Sequence, residues 1–226
     1  MLDYNQNYYQ QYFKNNFNEE LMPGHGVEAC LDWASTCFRP GRWLDVGAGP
    51  CSMFWSVTAP ISIDAIALAD LSRVPLDMTA ELIRTRNWPP AYIQALHYLG
   101  KTEDHLNTLA NAPLDIHEFN AFEKWPDVGV FDSISAFGLA GIADSISTLD
   151  TLLTEAKDHL APGGVLFGAS WVFSNTYAMK LKGRKQCLSS LAERLATHGY
   201  EDIQTTEVPL TSDDNYYGIM LFKGRA

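Results

Sequence analysis

Between residues 42 and 170, short apolar runs alternate with longer stretches of helical periodicity, the pattern of βαβ units that build a parallel sheet. The runs predict strands over residues 42–46, 65–69, about 116–119, 130–135 and 165–170, with helices between them. The clearest helix is predicted over 147–160, where Leu149, Leu152, Leu153, Ala156 and Leu160 share a face and Ala161-Pro162-Gly163-Gly164 ends the repeat. Another is predicted over 185–197, closed by His198-Gly199-Tyr200. Two last strand-like runs, 202–208 and 217–223, predict an antiparallel hairpin at one sheet edge. At the other end Tyr8, Tyr9, Tyr12, Phe13 and Phe17 recur at helical spacings, and Met22-Pro23-Gly24-His25-Gly26 interrupts them. Helix then resumes from Val27 through Trp33 and stops before Arg39-Pro40-Gly41. The expectation is one α/β domain over 1–226: a helical cap or lid, 1–36, on a core, 37–226, of seven mostly parallel strands.

Composition narrows the partners. Hydrophobic residues make up 46% of the 226 positions and charged ones 19%, enough apolar material for a core and too little charge for disorder. A formal net charge of -11 repels phosphate backbones and anionic lipid, so neither nucleic acid nor membrane is an expected partner. Lys180, Lys182, Arg184 and Lys185 form one local basic run, read as a solvated loop. Cys30, Cys37, Cys51 and Cys187 make no CxxC pair and no ligand spacing with the histidines, so no metal is expected and the thiols should be reduced. No apolar leader and no run of 18 apolar residues is seen, which predicts a cytoplasmic protein, monomer or homodimer.

The most specific chemistry lies in Trp43-Leu44-Asp45-Val46-Gly47-Ala48-Gly49-Pro50-Cys51, a buried-type strand entering a glycine turn. Glycine permits the tight turn and lets a ligand approach main-chain N–H groups at the next helix. A dinucleotide fingerprint requires a further glycine or alanine where this chain has Ser52. With Asp45 ahead of the first glycine, and counted among the cofactor-binding residues, that favours S-adenosylmethionine over a nicotinamide cofactor. Asp70 ends the next strand, 21 positions after Gly49, where a carboxylate can accept from both hydroxyls of a ribose. Capping of the following helix would also explain an aspartate there.

With both elements in view, the chain resembles the class I S-adenosylmethionine-dependent methyltransferases. The cofactor loop is Leu44-Asp45-Val46-Gly47-Ala48-Gly49-Pro50-Cys51, the ribose strand ends Ala69-Asp70-Leu71-Ser72, and AFGLAGIADS (136–145) and LAPGGVLF (160–167) follow. More narrowly it is similar to the nicotinamide, phenylethanolamine and thioether methyltransferase family. That likeness rests on Tyr12-Phe13-Lys14-Asn15-Asn16-Phe17, the Gly-x-Gly-Pro turn, and Gly199-Tyr200-Glu201-Asp202-Ile203 before a strand pair ending Leu221-Phe222-Lys223. The resemblance implies a Rossmann-like sheet, S-adenosylmethionine as cofactor and a small-molecule methyl acceptor. Gly47, Ala48 and Gly49 would line the methionine and ribose, Asp70 and Leu71 the ribose and adenine edge, and Asn120, Ala121 and Phe122 the adenine ring. Ala136 and Phe137 would border the transferable methyl, and Tyr12, with Phe17 or Tyr9, would close over the cofactor carboxylate. The chain departs from the family in Pro75, where a polar helix residue is usual, and in a shorter segment after the fifth strand.

Methyl transfer from a sulfonium is an in-line displacement that positioning and electrostatics can carry, so no catalytic residue is assigned. The groups that could serve as a base are His25, His97, His105, Asp144, Asp213 and Asp214. His25 sits between glycines, whereas His159 and His198 fall at helix ends, where the dipole accounts for them. Asp213 and Asp214 beside Tyr216 and Tyr217 could hold a cation, but a polar hairpin turn explains them as well and is preferred. Phe54, Trp55, Trp88, Trp125 and Phe173 are expected mainly in the core, and Tyr9, Phe17, His25, Trp171 and Tyr177 are taken as acceptor-site residues. The expected activity is N-methylation of an amine or heterocycle. Transfer to oxygen, sulfur or carbon, and a noncatalytic S-adenosylmethionine-binding module, remain as alternatives.

Overall fold

A computed structural model describes residues 6–21, 25–181, 185–211 and 213–226, so Met22, Pro23, Gly24, Lys182, Arg184 and Ser212 lie outside the described residues. The apolar runs form the strands β1 (Gly41–Val46), β2 (Ile63–Asp70), β3 (Leu114–Glu118), β4 (Phe131–Phe137) and β5 (Leu160–Phe173), all mutually parallel. The hairpin β6 (Glu201–Pro209) and β7 (Tyr216–Arg225) joins through β7, antiparallel to β5. The order across the sheet is β3-β2-β1-β4-β5-β7-β6. Chain order therefore reverses between β1 and β4, and open α/β sheets bind ligands beyond the carboxyl ends of the strands at such a point.

Helices cover both faces because successive strand residues point to opposite sides. Trp43 of β1 packs in one apolar cluster, and Leu44 and Val46 pack in the other. α1 (Gln6–Phe13) runs into a π-helical turn, Lys14–Asn18. α2 (Val27–Ser35), α3 (Ser52–Trp55), α4 (Arg73–Thr85), α5 (Pro90–Tyr98) and α6 (Glu103–Leu109) contribute to the Trp43 side. α7 (Ile146–Asp158) and α9 (Leu191–Thr197) pack on the other, while α8 (Asn175–Lys180) carries no buried residue. Phe54, Trp55 and Tyr92 are almost wholly enclosed, each stabilising the fold by about 1.5–3 kcal/mol.

Pro75 is the third residue of α4, where its missing N–H would have found no intrahelical partner, so the helix absorbs it without a break. The Ser72 hydroxyl caps α4 by accepting from the Val74 N–H at 3.3 Å.

Several boundaries differ from the sequence pattern. The helix predicted over 147–160 ends at Asp158, and Leu160 instead opens β5 opposite Phe131. β4 begins one residue later than predicted and extends to Phe137, which pairs with Ala169. The helix predicted over 185–197 is regular only from Leu191, after a 3-10 turn at Leu188–Ser190. The reason is Gln186, whose amide accepts from Phe173 N–H at 2.8 Å and donates to Trp171 and Gly141 carbonyls at 2.8 and 3.0 Å. These bonds hold residue 186 against the end of β5, where a continuous helix could not carry it.

Candidate active site

The glycine turn leaves β1 with Gly47 at φ +67° and Gly49 at φ +53°, a left-handed region that other residues enter at a cost. A Cβ on Gly47 would meet Leu139 at 3.0 Å, whereas one on Gly49 would meet nothing nearer than the Cys51 sulfur at 3.8 Å. Gly47 is thus needed for packing as well as conformation, and Gly49 faces open space. The turn is tethered to β2: Ala48 N–H donates to the Ala69 carbonyl and Gly49 N–H to Asp70 Oδ2, both at 3.0 Å. The helix that follows the glycines, α3, is a single turn passing into a 3-10 turn.

Beneath the turn lies Asp45, 1% exposed. It accepts from the Ser52 and Ser135 hydroxyls, each at 2.5 Å, and Ser135 accepts in turn from the Trp43 indole N–H at 2.8 Å. Burial pushes this carboxyl up to about 6 despite the two serine donors that favour its charge. Asp45 therefore supports the turn from below, joining β1, α3 and β4, and does not face the crevice.

Asp70 ends β2 with Oδ1 accepting from Ser72 N–H at 3.0 Å, in addition to the Gly49 bond on Oδ2. The Leu71 N–H and the Tyr9 hydroxyl also donate to it. Burial raises its pKa, outweighing these donors. At the ends of the adjoining strands, Phe119 N–H bonds to the Asp70 carbonyl at 3.0 Å, which brings residues 119–122 beside Leu71. Leu71 is 63% exposed, Ala121 is buried, and Asn120 accepts from Phe122 N–H at 3.1 Å, fixing that bend. Ala136 is buried in β4, and Phe137 stacks flat on Trp55 with ring centroids 4.0 Å apart and planes 9° apart.

Past Trp55 opens a chamber of about 210 Å³. Its walls bring together four of the predicted acceptor-site or lid residues, Tyr12, Phe17, His25 and Trp171, which come from segments far apart in sequence. Asn16, Val27, Asp213 and Tyr216 complete it. His25 Nδ1 lies 3.4 Å from Asp213 Oδ2. Burial pushes the Tyr12 and Tyr216 hydroxyls up, and Tyr177 adds to the effect on Tyr216. Two of the predicted residues stand elsewhere: Tyr9 is on Asp70, and Tyr177 sits behind Tyr216 at 5.4 Å between ring centroids. Of the other histidines considered, His105 contacts Lys101 Nζ at 3.3 Å and His198 pairs with Asp150 at 3.0 Å, both outside the chamber walls.

A larger groove of about 550 Å³ runs between α1 and α4 past Pro50, but the predicted site residues are not in its walls. The chamber is the better candidate because aromatic walls and opposed polar groups converge there.

The arrangement of strands and turn has counterparts among solved structures. The chain aligns with the N-methyltransferase NodS from Bradyrhizobium japonicum WM9 in complex with S-adenosyl-L-homocysteine, at a TM-score of 0.62 and 13% identity over 94% of this chain and 90% of that one. The fold is that of the Rossmann-like methyltransferases. The phosphoethanolamine N-methyltransferase 2 of Haemonchus contortus, in complex with phosphomonomethylethanolamine and S-adenosylhomocysteine, gives 0.65 at 15% identity, with 98% of this chain matching 57% of that one. The DhpI-SAM-HEP complex gives 0.56 at 12% identity over the whole of both chains. No protein-family model matches the sequence, and no curated protein matches it.

No described helix is long and apolar enough to cross a membrane. Among the described residues no group of three or more histidine, cysteine or acidic side chains is arranged to hold a metal, and the four cysteines are free.

Asn16 is not singled out in the sequence, and Tyr216 is weighed there only as a neighbour of Asp213; each becomes part of the chamber through long-range packing. Asp213 was visible but read as a turn residue. It is that too, accepting from Asn215 and Tyr216 N–H groups at 2.8 and 3.1 Å.

Proposed function

We propose that this chain is an enzyme that binds S-adenosylmethionine and methylates a small molecule, with nitrogen of an amine or heterocycle as the acceptor atom. The observation that carries the reading is the glycine turn tethered to Asp70 at the carboxyl end of the two strands beside the reversal point. The open space at Gly49 admits the ligand close to the main chain, and ribose hydroxyls would reach Asp70 by displacing the Tyr9 hydroxyl, one of the four donors that already occupy its carboxylate. Gly47, Ala48 and Gly49 would hold the amino-acid and ribose parts, Asp70 the ribose hydroxyls, and Leu71 with Asn120, Ala121 and Phe122 the base. Methyltransferase neighbours, several crystallised with S-adenosylmethionine or S-adenosylhomocysteine, support the same choice of ligand. S-adenosylmethionine supplies an electrophilic methyl group on a sulfonium.

The chain's own part is to orient and to exclude water. Ala136 and Phe137 would border the reacting carbon, and Trp55, stacked on Phe137, lines the chamber beside them. The chamber then receives the acceptor, with Tyr12 and Phe17 of the N-terminal segment closing over it. Native mass spectrometry of the purified chain with excess S-adenosylmethionine tests the first step, and formation of S-adenosylhomocysteine with a panel of small amines and N-heterocycles tests the second. A mass increment for the donor and product formation are expected; binding of NAD with no binding of S-adenosylmethionine would overturn the reading.

A further inference from the structure

The chamber holds chemistry that recognition of the methyl donor does not use. Tyr12, Phe17, Trp55, Trp171 and Tyr216 give it aromatic walls, and the faces of such rings attract cations. Among the described lining residues Asp213 is the one carboxylate, and none is a lysine or arginine. Its Oδ1 is pinned by the Asn215 and Tyr216 N–H groups, which leaves Oδ2, the atom 3.4 Å from His25, as the one turned toward a partner. The cavity is thus a partly open aromatic box with one carboxylate on its described walls. At about 210 Å³ it has room for roughly seven waters at ~30 Å³ each, well short of a drug-sized site.

We propose that the chamber takes a compact ammonium or quaternary ammonium ion, seated on the aromatic faces with Asp213 as its counter-charge. Within the methyl-transfer reading, on which this part rests, that ion is the product: the lone pair of an uncharged amine takes the methyl, the sulfonium C–S bond breaks to leave S-adenosylhomocysteine, and the positive charge passes to the nitrogen; as a statement about binding it does not depend on that reading. The titratable groups lining the cavity are Tyr12, His25, Asp213 and Tyr216. Both tyrosine hydroxyls stay protonated through the neutral range because burial pushes them up.

The test is calorimetric titration of tetramethylammonium chloride into the full chain, with and without S-adenosylhomocysteine, at pH 8.0. Binding should be at least about tenfold tighter than that of neutral tert-butanol, and Asp213→Asn should remove about tenfold or more. Since Asp213 also anchors the hairpin turn, Trp171→Leu provides a second variant, expected to lose affinity several-fold with the turn intact. Equal binding of cation and alcohol, or unchanged affinity in a folded Asp213→Asn chain, would overturn the assignment. If S-adenosylhomocysteine binds and tetramethylammonium does not, the chamber assignment falls and the donor reading stands. The reverse pattern, with the Asp213 dependence intact, upholds the chamber and removes the donor.

Discussion

Substituting Asp45 by asparagine gives the most direct check on how the glycine turn is supported. Asp45 is enclosed and held by two serine hydroxyls, and its carboxyl is raised from an ordinary 3.8 to about 6. A folded-state pKa above the unfolded one means that ionisation favours the unfolded chain. The associated stability is complete below about pH 4 and is lost as the pH rises through about 6. The loss amounts to about 3 kcal/mol at neutral pH, from 1.36 kcal/mol for each pKa unit. Asparagine keeps the shape and cannot ionise. Its amide can accept from one serine and donate to the other, at the cost of a pH-independent offset on the order of 1 kcal/mol. Urea unfolding of both chains at several pH values from 4 to 8 gives the difference in stability, in which the other titrating groups cancel. That difference should move in favour of Asp45→Asn by about 3 kcal/mol, mostly between pH 4 and 6. A flat difference, or one that moves in favour of the parent chain as pH rises, would refute the account of Asp45 as a carboxylate ionised against the preference of its surroundings.

Three further substitutions separate the parts of the site. Asp70→Ala should weaken S-adenosylmethionine binding by about 1.5–3 kcal/mol in calorimetry through loss of charge-assisted bonds to ribose, and unchanged affinity would remove Asp70 from the donor site. Tyr12→Ala should lower donor retention or turnover with little change in melting temperature, because its residue is 39% exposed, whereas Phe17→Ala, 6% exposed, should cost about 3–5 kcal/mol in unfolding. A large melting shift for Tyr12→Ala would make that side chain a core element. Gln186→Ala removes three bonds that hold the segment after α8 to β5 and should cost about 2–3 kcal/mol in denaturant unfolding; a neutral result would show that water replaces them.

The parts of this molecule legible in its sequence are those set by local chemistry. Gly47, Gly49 and Asp70 announce themselves because a left-handed turn and a strand-end carboxylate need particular residue types at a particular separation. The parallel strands and the closing hairpin follow from apolar runs in the same way. What escaped reading depends on distant partners. Gln186 lies in a stretch with helical periodicity, and only its bonds to Gly141, Trp171 and Phe173 withdraw it from the helix. Asp45 counts as a cofactor-site residue in the sequence because it leads into the glycine turn; Ser52 and Ser135, 7 and 90 positions away, hold it as an internal support. Tyr216 and Asn16 gained their place in the chamber from the docking of the two chain ends, which no local pattern encodes. Asp213 shows the limit from the other side, since one residue can satisfy a turn rule and still present its second oxygen to a cavity.

The tethering of Ala48 and Gly49 to β2 bears on the thermodynamics of ligand entry. Fixing a backbone residue costs about 1–2 kcal/mol of conformational entropy, and here that cost falls within folding. An incoming nucleoside would meet a turn that is already ordered, so less of its interaction energy is diverted into stiffening the loop. Amide hydrogen exchange at Gly49 should accordingly be slow before any ligand arrives and change little afterwards, leaving the N-terminal segment as the place where binding registers as lost motion.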